Sequence, residues 1–278
     1  MNCSNYRNGV DAGIERLKLF LDPALGLNAD ACISHIEAGT GDAYACRAEL
    51  YDFSMIKALL AWFEHHDLSA LKQWSFVAGK LRRAMYQMRP HGVYYTPVYL
   101  MPLLSDAPSL IEWFGNFEYP FSSESGSPAS TRLNNPRMDE YYHYNTWLAL
   151  RGDWKKLAER SRAFLNDVPA KQSAYQADSR FHLALSEGDV AGMESALAEL
   201  LEPKLMRRRQ QEEGGYSQHF ICTFAIVYAK IARRHGFQVQ VDSPWVPQEW
   251  LAIVPLPRYE VAFAFMAESD ESMRVPHG

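Results

Sequence analysis

The first group of side chains that could do chemistry is His65-His66-Asp67, whose residue types can bind a metal ion. Two adjacent histidines on a helix point in different directions, whereas a metal pair on one helix face needs an i, i+4 spacing. An aspartate directly before an apolar periodic run is typical of a helix cap. We therefore interpret Asp67 as the cap of a following helix, and we expect no metal here.

The second group is His219 and Cys222, which stand three residues apart. At that spacing on a helix an imidazole could activate a thiol nucleophile. However, no Asn or Asp is obviously placed to orient the histidine, and Cys222 lies among Phe220, Ile221 and Phe224. This setting favours a small buried thiol over a catalytic one.

Two adjacent pairs of carboxylates, Asp139-Glu140 and Glu212-Glu213, have the residue types needed for acid/base catalysis. Such catalysis needs two groups in different environments that face one pocket, which neighbouring residues on a helix do not provide. Glu212 and Glu213 follow Arg208 and Arg209 by four residues, a spacing that predicts surface ion pairs worth a few tenths of a kcal/mol. The chain also lacks a phosphate-binding G-x-x-x-x-G-K loop, a G-x-G-x-x-G turn and a G-x-S-x-G elbow. We expect no catalytic residues, no cofactor and no enzymatic activity.

A stretch rich in aromatic and acidic residues, between residues 113 and 144, is the most distinctive part of the sequence. Aromatic anchors mixed with carboxylates are typical of protein-binding surfaces. Alternatively, the same rings fill a seam between two halves of the chain. The residues predicted to bind a partner are Phe117, Glu118, Tyr119, Glu124, Asp139, Glu140 and Tyr141.

Composition restricts the class of protein. The chain has 278 residues, of which 33 are acidic and 28 basic, giving a net charge of -5. This balance argues against nucleic-acid binding and would suit a basic protein partner. None of the four cysteines lies in a C-x-x-C spacing, the first residues carry no hydrophobic signal region, and the apolar stretches are too short to span a bilayer. We expect a cytoplasmic protein with free thiols and no membrane contact.

Helical periodicity predicts the elements that position these residues. Apolar residues recur at spacings of three and four from Asp42 to His65, and a second helix follows Asp67, so the two form an antiparallel hairpin. Further along, the pair Gly152-Asp153 recurs 36 positions later as Gly188-Asp189, and each pair lies between two helical runs. Glycine can end one helix and aspartate can cap the next. A period near 35 predicts an all-α array of stacked antiparallel helical hairpins of the tetratricopeptide-like kind.

The halves of this array are separated by a segment without periodicity, rich in Gly, Pro, Ser and Thr. We predict N-terminal hairpins over residues 1–114, a loop or linker over 115–137, and C-terminal hairpin repeats over 138–278. The end of the chain is irregular: residues 237–241 alternate like a short strand, Pro247 to Leu251 suggest a short helix, and the tail is expected to wrap back on the array.

Two motifs near the end of the chain carry a family resemblance. Ala229-Lys230-Ile231-Ala232-Arg233-Arg234-His235-Gly236 has an A-x-x-A-R-x-x-G pattern, and Asp242-Ser243-Pro244-Trp245-Val246-Pro247 a D-x-P-x-x-P pattern. Over residues 216–257 the chain resembles the bacterial immunity protein 49 family. The resemblance implies an all-α protein, encoded beside a toxin of an interbacterial competition system, that binds and neutralises that toxin. It transfers no catalytic residue and does not identify the toxin.

Three functions remain as hypotheses. The first is an immunity protein that blocks a cognate toxin or effector, encoded by a neighbouring gene, by burying about 1,600 Å² of surface in total. The second is a tetratricopeptide-like scaffold that binds a peptide in its concave face, for which two clear repeats are few. The third is an enzyme that uses His219, Cys222 or His65.

Overall fold

The structure, a computed structural model, describes residues 3–89, 95–118 and 129–267. Most of these residues lie in helices, and none of them lies in a strand. This confirms the predicted all-α class. The α-helices are α1 (Cys3–Leu21), α2 (Ala29–Glu37), α3 (Ala43–Phe63), α4 (Leu68–Met88), α5 (Leu100–Ser105), α6 (Pro108–Asn116), α7 (Ala129–Asn134), α8 (Glu140–Arg151), α9 (Trp154–Asn166), α10 (Gln176–Glu187), α11 (Val190–Leu200), α12 (Pro203–Arg208), α13 (Thr223–Arg234) and α14 (Gln248–Leu251).

Helices α3 and α4 form the predicted N-terminal hairpin. The carboxylate of Asp42 accepts hydrogen bonds from the first backbone amides of α3, and Asp67 Oδ1 accepts one from Ala70 N at 2.9 Å at the start of α4. His66 takes a left-handed conformation between them, with φ +53°. Both caps satisfy amide groups that have no partner inside the helix. The prediction that Asp67 is a helix cap is confirmed.

The two Gly-Asp pairs have similar backbone geometry but different side-chain roles. Gly152 and Gly188 end α8 and α10 in the left-handed region, with φ +78° and +72°. The next amides donate back to carbonyls in the preceding helix turn, which is how such helix ends close. Asp189 Oδ1 then caps α11 through Gly192 N at 3.0 Å. Asp153 makes no capping bond, because its carboxylate pairs with Arg151 Nε at 3.1 Å, so the capping prediction was wrong there.

Helix α13 joins the two halves of the chain. Its residues from Thr223 to Ala232 are all buried. It contacts α5 and the 3₁₀ segment Thr96–Tyr99 on the N-terminal side, and α8 and α11 on the C-terminal side. A helix that is apolar around most of its circumference belongs in the interior of the fold, so α13 forms the centre of the molecule.

The C-terminal tail crosses back onto the N-terminal half, as predicted. Tyr259 donates its hydroxyl to the Ser105 carbonyl at 2.5 Å, and the backbone of Glu260 exchanges two hydrogen bonds with the Gln73 side chain. The predicted strand at residues 237–241 is wrong, since no strand is found there. Side chains rather than a neighbouring strand bind this backbone: Gln240 N donates to Glu194 Oε1, and Val239 O accepts from Arg233.

A buried ionic cluster fastens the start of that tail. The carboxylate of Asp106 is fully buried and lies 2.8 Å from Lys72 Nζ and 2.5 Å from Lys230 Nζ. Lys72 also donates to the Val254 carbonyl at 2.5 Å, and Lys230 to the Ala252 carbonyl at 3.2 Å. Burial lowers the pKa of Lys230 to about 8. The cluster therefore ties α4, the loop after α5, α13 and the tail together.

The segment predicted as a loop or linker contains secondary structure. Its first two residues complete α6, and α7 lies within it, next to α8. The carbonyl of Leu133, in α7, accepts a hydrogen bond from Arg160 at 2.6 Å. Tertiary contact thus supports a helix where the sequence shows no periodicity. The domain boundaries themselves remain a prediction.

Candidate functional site

Phe117 and Glu118, of the predicted partner-binding set, follow α6 and lie beside the C-terminal end of α8. The Phe117 ring is half-buried and stacks on Trp113, with 4.5 Å between the ring centroids. Glu118 is exposed over 76% of its side chain, and its Oε1 lies 3.6 Å from Arg151 Nη1. Phe117 is therefore held in an aromatic stack, and the Glu118 carboxylate stays accessible to a partner.

Asp139 and Glu140 lie at the opposite end of α8. Asp139 is exposed, and its Oδ1 accepts a hydrogen bond from the Tyr142 hydroxyl and a longer one, 3.4 Å, from Gln172 Nε2. Glu140 is buried and forms an ion pair with Arg132 of α7. Asp139 is thus a fixed surface carboxylate, whereas Glu140 joins two helices.

Tyr141 is buried in the seam beside α9. Its hydroxyl donates to the Arg160 carbonyl at 2.7 Å, and the Arg160 guanidinium lies 4.0 Å from the ring centroid. Burial raises the pKa of this phenol. This environment matches the alternative interpretation, in which the aromatic rings of this segment fill a seam.

The predicted set is therefore spread along α8 rather than gathered at one point. Eleven residue steps from Glu140 to Arg151 correspond to about 17 Å along the helix. The exposed carboxylates of Glu118 and Asp139 mark its two ends. Tyr119 and Glu124 lie outside the described residues. The partner-binding role of all seven residues remains a prediction.

A groove of about 470 Å³ lies where α6, α8 and α13 end, close to Glu118. Its charged lining residues are Glu112, Arg151, Asp153 and Arg234. Arg151 is already bound to Asp153 and lies over the Trp147 ring at 4.4 Å. Burial lowers the pKa of Arg234, whose guanidinium is half-buried. This end of α8 therefore presents both signs of charge beside an exposed carboxylate.

A buried cluster centred on Arg209 was not predicted from the sequence. Arg209 Nη1 donates to Asp178 Oδ2 at 2.7 Å and Nη2 to Glu212 Oε2 at 3.3 Å. Tyr228 donates its hydroxyl to Asp178 Oδ1 at 2.5 Å. The guanidinium also lies 3.9 Å from the centroid of the Phe224 ring. These contacts satisfy part of the hydrogen-bonding capacity of the buried Arg209 guanidinium and balance its charge.

The predicted surface ion pairs of Arg208 and Arg209 with Glu212 and Glu213 are wrong. They required one continuous helix, but α12 ends at Arg208 and the 3₁₀ turn Gln210–Glu212 redirects the chain. Arg209 consequently points inward to Glu212, while Arg208 donates to Ser173 Oγ at 2.8 Å. The ion pair that does form is buried, so its energetics differ from those of a surface pair.

Glu213 is a carboxyl group in an unusual setting next to this cluster. Its Oε1 accepts from Thr223 N at 2.8 Å and its Oε2 from Ser217 Oγ at 3.3 Å. Burial raises the pKa of Glu213 to about 7. This carboxyl group therefore changes its charge near neutral pH, unlike an exposed glutamate.

The candidate nucleophile Cys222 is buried, and burial raises the pKa of its thiol to about 12. A thiol with such a pKa is a poor nucleophile at neutral pH, because the thiolate is the reactive form. Its backbone N–H donates to the Trp245 carbonyl at 2.9 Å, at the start of α13. The predicted buried thiol is thus confirmed at this position.

Metal-binding clusters and membrane-spanning helices are both absent from residues 3–89, 95–118 and 129–267. No group of three or more His, Cys, Asp or Glu side chains there could hold a metal ion, His65 and His66 included. None of the helices there has the length and hydropathy that a membrane crossing requires.

Comparison with protein families identifies a match over part of the chain. The model of the family described as Immunity protein 49 matches residues 141–250, from the second residue of α8 into α14. The match confirms the predicted resemblance and begins well before the stretch 216–257 that carries the motifs. The Arg209 cluster lies inside the matched range, and Glu118 and Asp139 lie outside it. No curated protein and no solved structure matches the chain.

Proposed function

We propose that the protein is an immunity protein that binds a cognate toxin and blocks it by covering part of its surface. The observation that carries this proposal is the match of residues 141–250 to a family of immunity proteins. The buried, protonated thiol of Cys222 supports it, since the best nucleophile candidate of the sequence is not activated.

The surface at the two ends of α8 is the proposed contact region. Glu118 and Asp139 are exposed there, about 17 Å apart along the helix axis. A standard interface covers about 800 Å² on each partner, so one interface is wide enough to include both carboxylates. Exposed carboxylates would attract a toxin whose active cleft is basic and would speed its association. The groove beside Glu118 would accept a protruding loop of the toxin.

Binding is tested by producing this protein together with the product of each neighbouring gene. We expect one of these products to arrest growth when produced alone, to lose this toxicity when the proteins are produced together, and to elute with this protein as one complex in gel filtration. A toxic neighbour that remains toxic and elutes separately at micromolar concentrations would contradict the proposal.

The contact surface is tested by reversing two exposed charges, Glu118→Lys together with Asp139→Lys. We expect the association rate with the toxin to fall about tenfold at low salt and the difference to shrink at high salt. The control is Asp30→Lys with Glu37→Lys on α2, which changes the net charge equally at two other exposed positions. Equal rates for both double variants would remove the α8 surface from the interface while leaving the immunity function itself untouched.

A further inference from the structure

A cavity of about 120 Å³ lies beside the Arg209 cluster, inside the family-matched range and apart from the α8 surface. Leu200, Ile221 and Phe224 in its wall are buried, whereas Pro203, Arg207 and Gln210 are exposed and form its mouth. The cavity is thus closed at its base and open to solvent on the side of α12. A molecule could enter without unfolding of the core.

The cavity has the size and walls of a site for one small ring. Its apolar lining comes from Leu200, Met206, Ile221, Phe224 and Trp245. An engineered apolar cavity of about 150 Å³ in another protein stays dry and binds benzene. A single six-membered ring is therefore close to the upper limit of what fits at the base, and larger molecules would have to extend through the mouth.

The polar groups of the cavity restrict the charge of such a ligand. Among the residues that the structure describes, Arg209 Nε is buried and has no hydrogen-bond acceptor. A buried donor without an acceptor costs about 1–3 kcal/mol, so an acceptor atom on a ligand would stabilise the complex. Asp178 and Glu212 already balance the Arg209 charge, and Glu213 also lines the cavity. At the buried base, an anionic ligand would therefore meet Glu213 and an arginine whose charge two carboxylates already balance, while Arg207, the other arginine of the lining, is exposed at the mouth.

We propose that this cavity binds a small, neutral aromatic molecule that carries one hydrogen-bonding oxygen, with the oxygen accepting from Arg209 Nε and the ring against Phe224 and Met206. A phenol is the simplest member of this class. The site is independent of the proposed toxin-binding surface, so either proposal can fail without the other.

The experiment titrates the whole protein with phenol, toluene and benzoate and follows backbone amide chemical shifts in NMR spectra. We expect phenol to bind with a dissociation constant on the order of 1 mM, with the largest shifts around Met206, Arg209 and Phe224. Toluene, which lacks the acceptor, is expected to bind about fivefold more weakly. Benzoate is expected to bind at least about tenfold more weakly than phenol, because of the surrounding carboxylates.

A cavity-filling variant with a matched control locates the site. Met206→Trp places a large ring in the cavity and should abolish phenol binding, whereas Met88→Trp, at an exposed position on α4, should leave it unchanged. If Met206→Trp does not fold, as judged by circular dichroism, Leu200→Phe serves the same purpose. No saturable binding of phenol up to about 10 mM, unchanged binding in the filled variant, or benzoate binding as tightly as phenol would each overturn the proposal.

Discussion

Two buried ionic clusters, one around Asp106 and one around Arg209, stabilise the molecule in different ways. Around Asp106, two lysines share one carboxylate, and these lysines also donate hydrogen bonds to the backbone carbonyls of Ala252 and Val254. Around Arg209, one guanidinium faces two carboxylates, and its Nε has no acceptor among the described residues. In the first cluster, the chain itself supplies the acceptors for both lysines, so we call it closed. In the second, one buried donor lacks an acceptor among the described residues, so we call it open.

This difference indicates separate roles for the two clusters. The carbonyls in the Asp106 cluster belong to the tail, so the two lysine–carbonyl hydrogen bonds can form only when the tail lies across the N-terminal half. It therefore contributes to the stability of the whole fold. The Arg209 cluster borders a cavity, and its Nε is the group to which we propose that a ligand binds. Four predictions test this distinction, from the largest expected effect to the smallest.

Asp106→Asn should cause the largest loss of stability. It leaves two buried lysines without a carboxylate, and removing one partner of a buried ion pair costs about 3–5 kcal/mol. Asparagine tolerates the left-handed backbone at this position, φ +57°, so the effect will come from the lost charge. Urea unfolding followed by circular dichroism measures the free energy of unfolding. A loss below about 1 kcal/mol would show that the cluster does not hold the fold together.

Asp178→Asn should cost less, about 2–3 kcal/mol. Arg209 keeps Glu212 as a second carboxylate and still lies over the Phe224 ring, so its charge is not left alone. The same urea experiment measures this variant beside Asp106→Asn. If Asp178→Asn proves the more destabilising of the two, the contrast between a closed and an open cluster is wrong.

Glu213→Gln should gain stability relative to the natural protein as the pH rises from about 4.5 to about 7. Burial raises the pKa of Glu213 from its ordinary 4.5 to about 7, so in this window the folded state holds a proton that the unfolded state releases. The natural protein therefore loses stability as the pH rises through the window, whereas glutamine does not ionise. We expect the difference to grow by about 2 kcal/mol, allowing for the partly exposed side chain.

Urea unfolding of both proteins at a series of pH values measures this difference. The buried His143 and His182, whose pKa values burial lowers to about 4, titrate in both proteins and cancel. A difference that stays flat between pH 4.5 and 7 would mean that Glu213 titrates as an exposed carboxyl group.

Glu199→Gln provides the smallest effect and the reference for the other three. Glu199 pairs with Arg180 at 2.5 Å, but both side chains are partly open to solvent, with exposed fractions of 34% and 43%. Exposed ion pairs contribute about 0–1 kcal/mol, so we expect a loss below about 1 kcal/mol in the same assay. A loss as large as that of Asp178→Asn would show that burial does not set the ranking.

Local sequence signals predicted the helices well. The Asp67 cap and the glycines at 152 and 188 act over only a few residues, so the sequence alone identifies them. The strand predicted at 237–241 failed because alternation shows only a preference, and no neighbouring strand is present in the described residues to pair with it. Helix α7 was missed since its support comes from distant residues such as Arg160.

The buried clusters were harder to predict because their members are far apart in the chain. Lys72, Asp106 and Lys230 come from three separate segments, and only the fold brings them together. A partial signal did exist in α10. Phe181 and Leu185 follow Asp178 by three and seven residues, so Asp178 lies on the apolar face of this helix. A charged residue at such a position requires a buried partner. The residues of the partner surface, by contrast, remain a prediction.

The most direct test of the account is the stoichiometry with which this protein inhibits its toxin. The purified toxin, identified by growth arrest as above, is mixed with increasing amounts of the protein, and its residual activity is measured. Inhibition by surface occlusion predicts that activity falls linearly and reaches its minimum near equimolar mixing. Complete neutralisation by about one hundredth of an equivalent would contradict the account, because only catalytic turnover could achieve it.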